Sequence, residues 1–276
     1  MKRILTAAIL IPIVLLLVFL GPRWQWLFAA VAALVAALAG WECLGLSRRN
    51  GFQPPRAVVV AALLVLFAGN YERPDSTFVL FGVLSLGLLV YCTFRRSSER
   101  VMADAASSIF CLLYVGFTLI ALPTLHEEPN GPSLLVFLFC VVWAGDIAAL
   151  YVGRYFGRRK LAPLLSPKKT WEGAAGSMAA SVLVAWGLFA LGSGMQTWNS
   201  PLLTYPDDLW YWLVLGVVVN AAAQVGDLAE SALKRSAGVK DSGDLLPGHG
   251  GILDRIDALL LAAPVLWYAQ VIHQMF

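Results

Sequence analysis

Charge is what this chain has least of. Only 13% of its 276 residues are Asp, Glu, Lys or Arg, whereas a soluble domain carries about a quarter. Hydrophobic residues make up 59%, and ten tryptophans are many for this length. That balance excludes an ordinary water-soluble fold and points to a polytopic membrane protein. Cysteine is scarce as well. Cys43, Cys92, Cys111 and Cys140 are scattered through apolar segments, and none forms a Cys-x-x-Cys pair. Neither a disulfide framework nor a zinc site is indicated. The thiols are expected to act as small hydrophobes in helix packing. There is no internal repeat and no low-complexity linker, so residues 1–276 are expected to form one integral membrane domain. No small-x-small cleavage site precedes Gly21-Pro22. The opening Met1-Lys2-Arg3 and its apolar run therefore read as a first membrane helix rather than a cleaved leader.

What is present in quantity is apolar sequence. Nine segments stand out: roughly 4–20, 24–46, 57–71, 77–94, 105–125, 133–152, 174–195, 209–229 and 252–274. A spanning helix needs about 20 apolar residues, which makes 57–71 the shortest candidate. Pro123, near the end of the fifth segment, is tolerable at a membrane boundary. The expected fold is all-α, a polytopic transmembrane bundle of about nine spanning helices.

The cations give the orientation. With the N-terminus in the cytoplasm and the helices alternating, the cytoplasmic side holds 18 of the 20 Lys and Arg. Only Arg23 and Arg73 fall on the other side, where Glu72, Asp75, Glu127, Glu128, Asp207 and Asp208 lie. This is the positive-inside pattern. It predicts a cytoplasmic N-terminus and an outside C-terminus; the uncleaved first segment and the short loops fit a bacterial inner membrane.

Two cytoplasmic loops are richer than topology requires. The first belongs to residues 143–172. Asp146 lies inside the sixth apolar segment, where a carboxylate is costly and is a functional candidate by default; the alternative is a packing or salt-bridge role. Six cations follow between Arg154 and Lys169, with contact to anionic lipid as their bland reading. The run Ser166-Pro167-Lys168-Lys169-Thr170-Trp171-Glu172 puts Lys168 and Lys169 just before a helix start, with Glu172 in the first turn. A helix N-terminus and two lysines make a phosphate-holding corner.

The second loop follows the eighth segment. Asn220, Gln224, Asp227 and Ser231 recur at helical spacing and draw one polar stripe. Such a stripe faces a protein interior or a wet cavity. Interhelical hydrogen bonding would account for Asn220 and Gln224, but an ionised Asp227 needs a cation. Residues 231–257 then hold four cations (Lys234, Arg235, Lys240, Arg255), four carboxylates (Asp241, Asp244, Asp254, Asp257) and His249. This is too balanced for a simple basic patch. It suits a site that holds phosphate groups together with a divalent metal. If the last two helices are neighbours, Asp227, Asp254 and Asp257 can converge on a hard cation such as magnesium. Gly250 and Gly251 would let backbone N–H groups approach an anion.

The residues Ser231, Lys234-Arg235, Lys240-Asp241, Pro247, His249-Gly250-Gly251, Asp254-Arg255 and Asp257 fill every fixed position of S-x2-K-R-x4-K-D-x5-P-x-H-G-G-x2-D-R-x-D. In this the chain resembles the phosphatidate cytidylyltransferases (CDP-diacylglycerol synthases). The resemblance is clear over residues 143–257 and includes the Asp146 segment and the Ser166–Glu172 run. It implies that CTP and phosphatidic acid give CDP-diacylglycerol and pyrophosphate in a magnesium-dependent reaction, with or without a second cation. It also implies a homodimer; no nucleic-acid partner is expected. The roles that follow are expectations. Asp227, Asp254 and Asp257 bind metal. Lys234, Arg235, Lys240 and Arg255 hold phosphate oxygens. Asp241 orients a cation or touches the metal indirectly. His249 bonds a phosphate, helps protonate pyrophosphate or structures its loop. Asp146, Ser166, Lys168, Lys169, Asn220, Gln224, Ser231, Gly250 and Gly251 line the substrate site.

Two other classes compete. An ion-coupled transporter would place its charge at the midplane, whereas here it gathers at one surface. A CDP-alcohol phosphotransferase requires D-G-x2-A-R-x8-G-x3-D-x3-D, which is absent.

Overall fold

The computed structural model describes residues 11–95, 98–197, 202–206, 208–245 and 250–275. Lys2, Arg3, Arg96, Asp207, Pro247 and His249, used in the sequence argument, lie outside the described residues. The architecture is all-α and polytopic, as expected, with one small β-hairpin. Residues 11–18 are helical. The helices that follow are α1 (Gln25–Arg49), α2 (Arg56–Glu72), α3 (Thr77–Arg95), α4 (Val101–Cys111), α5 (Ala121–Glu127) and α6 (Gly131–Phe156). Strands β1 (Lys160–Ala162) and β2 (Ser166–Thr170) come next, then α7 (Trp171–Thr197), α8 (Leu209–Ser236) and α9 (Leu253–Gln274). Helices α4 and α5 are joined by a π-helical stretch, Leu112–Phe117.

Among the described residues, seven stretches are long and apolar enough to cross a membrane. They match seven of the nine expected segments. The first segment, 4–20, falls partly outside the described residues. The third forms α2, which at 17 residues is shorter than each of the seven stretches. Two helices outrun their apolar segments. Helix α6 continues to Phe156, and α8 continues to Ser236, which puts Lys234 and Arg235 in its last turn.

The chain packs as two compact units: residues 1–124 with 233–256, and residues 125–232 with 257–276. In the first unit α1 lies on α2 and α4, with Leu44, Leu63, Leu66, Cys111 and Leu112 fully buried among them. Close approach depends on small residues, as is usual where helices meet in lipid. A Cβ on Gly116 would stand 2.6 Å from Leu63 Cδ2.

In the second unit α6 and α7 form the tightest helix pair. Gly145, Ala149, Gly153 and Gly157 recur every fourth residue along α6 and its exit, so they form one ridge of small side chains. A Cβ on Gly173 of α7 would lie 2.9 Å from the Ala149 carbonyl oxygen and 3.2 Å from Gly153 Cα. The other end of this unit holds an aromatic cluster. Phe137 and Trp212 meet edge to face at 5.1 Å, and Trp212 Nε1 donates to the Pro206 carbonyl at 2.6 Å. Burying Trp satisfactorily requires such a partner for its N–H.

Candidate functional site

Within the second unit, the β-hairpin is tied to the start of α7. Thr170 Oγ1 accepts the Gly173 N–H at 3.1 Å and so caps the helix. The Glu172 carboxylate accepts the backbone N–H groups of Arg158 (3.0 Å) and Arg159 (3.2 Å). Lys168 and Lys169 therefore sit at a helix start, as the sequence suggests, but on a β-strand paired antiparallel to β1 with Lys160 opposite Thr170.

This arrangement opens a cavity of about 520 Å³. Its charged wall consists of Asp146, Arg154, Lys160, Lys168, Lys169 and Asp227. Thr170, Ser177 and Gln224 add polar groups, while Ala149, Leu150, Leu161 and Ala174 supply an apolar surface. Lys169 Nζ lies 2.6 Å from Asp227 Oδ2, giving Asp227 the cation that its charge demands. Asp146 is close enough to Asp227 and Lys169 for their charges to act on it. Of the residues expected at a substrate site, Asp146, Lys168, Lys169 and Gln224 are brought together here with Asp227. Ser166 and Ser231, both part-buried, are not among the lining residues. Arg154 and Lys160, read from sequence only as members of a cationic run, do line it.

The polar stripe of α8 divides in two. Asn220 is 1% exposed; its Nδ2 donates to Ser177 Oγ at 2.9 Å and to Ser181 Oγ at 2.8 Å. Ser181 Oγ in turn donates to the Val141 carbonyl at 2.9 Å, so α6, α7 and α8 are stitched together. Gln224 Nε2 donates to Asn220 Oδ1 at 2.6 Å and reaches the cavity wall. Asn220 thus supports the wall from behind, and Gln224 and Asp227 face the opening.

Helices α8 and α9 are neighbours in this unit. A Cβ on Gly226 would lie 2.6 Å from the Asp257 carbonyl oxygen, so only glycine permits that approach. Asp257 Oδ1 accepts the Ala258 N–H at 2.8 Å.

The first unit holds most of the charged loop. Asp254 Oδ1 pairs with Lys234 Nζ at 2.6 Å, and both side chains are largely buried. Asp254 Oδ2 accepts the Ser242 N–H at 2.9 Å and the Gly251 N–H at 2.8 Å. Gly250 has φ +77°, and a Cβ there would also lie 2.5 Å from Asp254 Oδ2; the position requires glycine twice over. The loop N–H groups do approach an anion, and in this structure that anion is the protein's own carboxylate. Arg235 Nη1 donates to the Val239 carbonyl at 3.0 Å. Lys240, Asp241 and Arg255 are exposed.

One residue of this unit escaped the sequence reading. Glu42, inside apolar α1, is 5% exposed. It accepts the Ile252 N–H at 3.1 Å and the Leu253 N–H at 2.9 Å, and lies 3.0 Å from Ser242 Oγ. A lone carboxylate in an apolar segment is the same signal that singled out Asp146.

Asp254 belongs to the first unit, and Asp227 and Asp257 to the second. Among the described residues, no group of three or more His, Cys, Asp or Glu side chains is placed to hold a metal ion.

The chain matches the model of the cytidylyltransferase family over residues 1–273. It is 37% identical over 270 residues to a phosphatidate cytidylyltransferase of Brucella suis, covering 96% of this chain and 91% of that protein. It is 33% identical over 293 residues to the phosphatidate cytidylyltransferase of Haemophilus influenzae, covering 97% of each. The Synechocystis phosphatidate cytidylyltransferase is 31% identical over 306 residues, covering 98% of this chain and 96% of that protein. With a match that runs nearly end to end, the chain belongs to the cytidylyltransferase family.

Proposed function

We propose that the protein transfers the cytidylyl group of CTP to phosphatidic acid, releasing pyrophosphate and leaving CDP-diacylglycerol in the membrane. The observation that carries this reading is the cavity of the second unit, where two carboxylates and four cations line a space that also has an apolar wall. A lipid phosphate with its glycerol and chains needs both kinds of surface. CTP and a phosphomonoester are both polyanions, and their repulsion must be offset before they can react.

The reaction requires no strong base, because a dianionic lipid phosphate is already a competent nucleophile. One of its oxygens forms a bond to the α-phosphorus of CTP. The bond from that phosphorus to the oxygen bridging to the β-phosphorus breaks, and pyrophosphate leaves with the bonding pair. In the second unit, Arg154, Lys160, Lys168 and Lys169 hold phosphate oxygens, and Gln224 orients them by hydrogen bonding. In the first unit, Lys234, Arg235, Lys240 and Arg255 serve the same end. Catalysis is mainly positioning and electrostatics.

Asp227 and Asp146 are hard oxygen donors on one cavity wall. Their chemistry fits magnesium, which prefers carboxylates and shared phosphate oxygens. Asp254 and Asp257 remain assigned as metal-binding candidates within their own units. Magnesium, when bound, supplies charge neutralisation at the phosphoryl oxygens. The protein works in a bacterial inner membrane as a homodimer, with the charged loops on the cytoplasmic side.

The test is a purified preparation in detergent given phosphatidic acid, magnesium and CTP labelled at the α-phosphorus. Label entering the organic phase as CDP-diacylglycerol, one equivalent per pyrophosphate, is the expected result. Label remaining wholly in water-soluble nucleotide would overturn the assignment.

A further inference from the structure

We infer that Glu42 is a positioning residue for the reaction: a carboxylate of the first half of the chain that holds the charged loop in working shape. The inference rests on the function proposed above, since it names what keeps that loop in place. Glu42 sits inside a membrane-capable helix, 5% exposed. A carboxylate in such a place is costly unless its lone pairs are satisfied. They are satisfied by the loop: Oε1 accepts from Ile252 N–H (3.1 Å), and Oε2 accepts from Leu253 N–H (2.9 Å).

Ser242 connects Glu42 to the pair that carries charge. Its Oγ lies 3.0 Å from Glu42 Oε2 and 2.9 Å from Asp254 Oδ2. One hydroxyl proton can serve only one of them at a time, but the Ser242 backbone N–H also donates to Asp254 Oδ2 at 2.9 Å. Asp254 in turn grips Lys234 Nζ at 2.6 Å. A continuous chain of charge-assisted bonds therefore runs from Glu42 through Ser242 and Asp254 to Lys234. The loop backbone is shaped to fit around this anchor: a Cβ on Gly243 would lie 2.5 Å from Glu42 Oε1, and one on Gly251 would collide with Glu42 Oε2. Two N–H donors, one to each oxygen, call for a carboxylate here. Glutamine would offer one carbonyl oxygen and turn an N–H2 group toward the second N–H donor.

The experiment compares wild type, Glu42→Gln, Ser242→Ala and the double variant, each full-length and purified in detergent. For Glu42→Gln, kcat is expected to fall between about tenfold and a hundredfold, with KM for CTP changed by less than about threefold. Ser242→Ala is expected to lose less, and the double variant no more than Glu42→Gln alone, because both act through one network. Hydrogen exchange in the peptide covering Ile252 and Leu253 should accelerate while α6 and α7 keep their protection. Wild-type kcat in a folded Glu42→Gln protein, or unchanged exchange at Ile252–Leu253, would overturn the inference. If Glu42→Gln cannot be recovered folded, Ser242→Ala decides, and wild-type kcat in that variant counts against the inference. A wild-type protein with no transferase activity would sink the proposed function instead, and the exchange measurement would still judge the Glu42 anchor.

Discussion

Lys169 Nζ stands 2.6 Å from Asp227 Oδ2 across a cavity built by α6, the β-hairpin, α7 and α8. Each side chain is about a third exposed or less, so water screens the pair only partly. The pairing joins strand β2 to the polar stripe of α8. Replacing Lys169 with Met is expected to leave the protein folded and to weaken substrate use, with kcat/KM down roughly tenfold to a hundredfold. Steady-state kinetics in detergent, with melting monitored in parallel, checks this.

Asp254 and Lys234 are bonded partners, yet they are not equivalent. Asp254 also accepts from the Ser242 and Gly251 N–H groups, whereas Lys234 removal leaves those bonds in place. Asp254→Ala should therefore cost more stability than Lys234→Met, by about 1–3 kcal/mol for each buried donor left without an acceptor. Thermal denaturation ranks the two variants, and equal losses would contradict the hydrogen-bond assignment.

Gly145 leaves room for the network around Asn220. A Cβ there would collide with Asn220 Nδ2 and lie 2.9 Å from Ser177 Oγ. Gly145→Ala is expected to destabilise the second unit by roughly 1–3 kcal/mol through overpacking. The same substitution at Gly82, where nothing lies within 4 Å of an added Cβ, is expected to be mild. Melting curves of the two variants, taken side by side, separate these outcomes.

The distribution of cations predicts which loops face the cytoplasm. In a background with the four native cysteines replaced, single cysteines at Arg100, Leu164 and Asp244 should label only from the cytoplasmic side. Cysteines at Asp75 and Asp208 should label only from the opposite side. Impermeant maleimide applied to intact and to broken spheroplasts reads this directly.

Much of the fold was legible because membrane helices announce themselves by length and hydropathy. Seven segments became membrane-capable helical stretches, although α6 and α8 run past their apolar bounds, and the helix start at Trp171 followed from Lys168-Lys169 and Glu172. The β-hairpin was not legible. Its strands have three and five residues, and their charged sequence shows none of the apolar alternation that marks a strand. Asp146, Lys168, Lys169 and Gln224 line one cavity together with Asp227, which the sequence pattern sets beside Asp254 and Asp257 instead. Asn220 bonds Ser177 and Ser181, a choice that helix spacing alone does not decide. Glu42 carries the same signal as Asp146, a carboxylate among apolar residues, but its partners lie some 200 residues away in sequence. Only the folded chain brings the loop backbone to it.

The most direct measurement of the central claim is the fate of the label, with Asp227 varied. Wild-type protein and Asp227→Asn are each given phosphatidic acid and CTP labelled at either the α- or the γ-phosphorus, with magnesium and then with EDTA. In wild type the α-label should enter lipid and the γ-label should leave in pyrophosphate. EDTA should stop both, and added magnesium should restore them. Asp227→Asn should insert, purify and melt normally, yet transfer no label. Full transfer by Asp227→Asn, or label in lipid from the γ-position, would contradict the account.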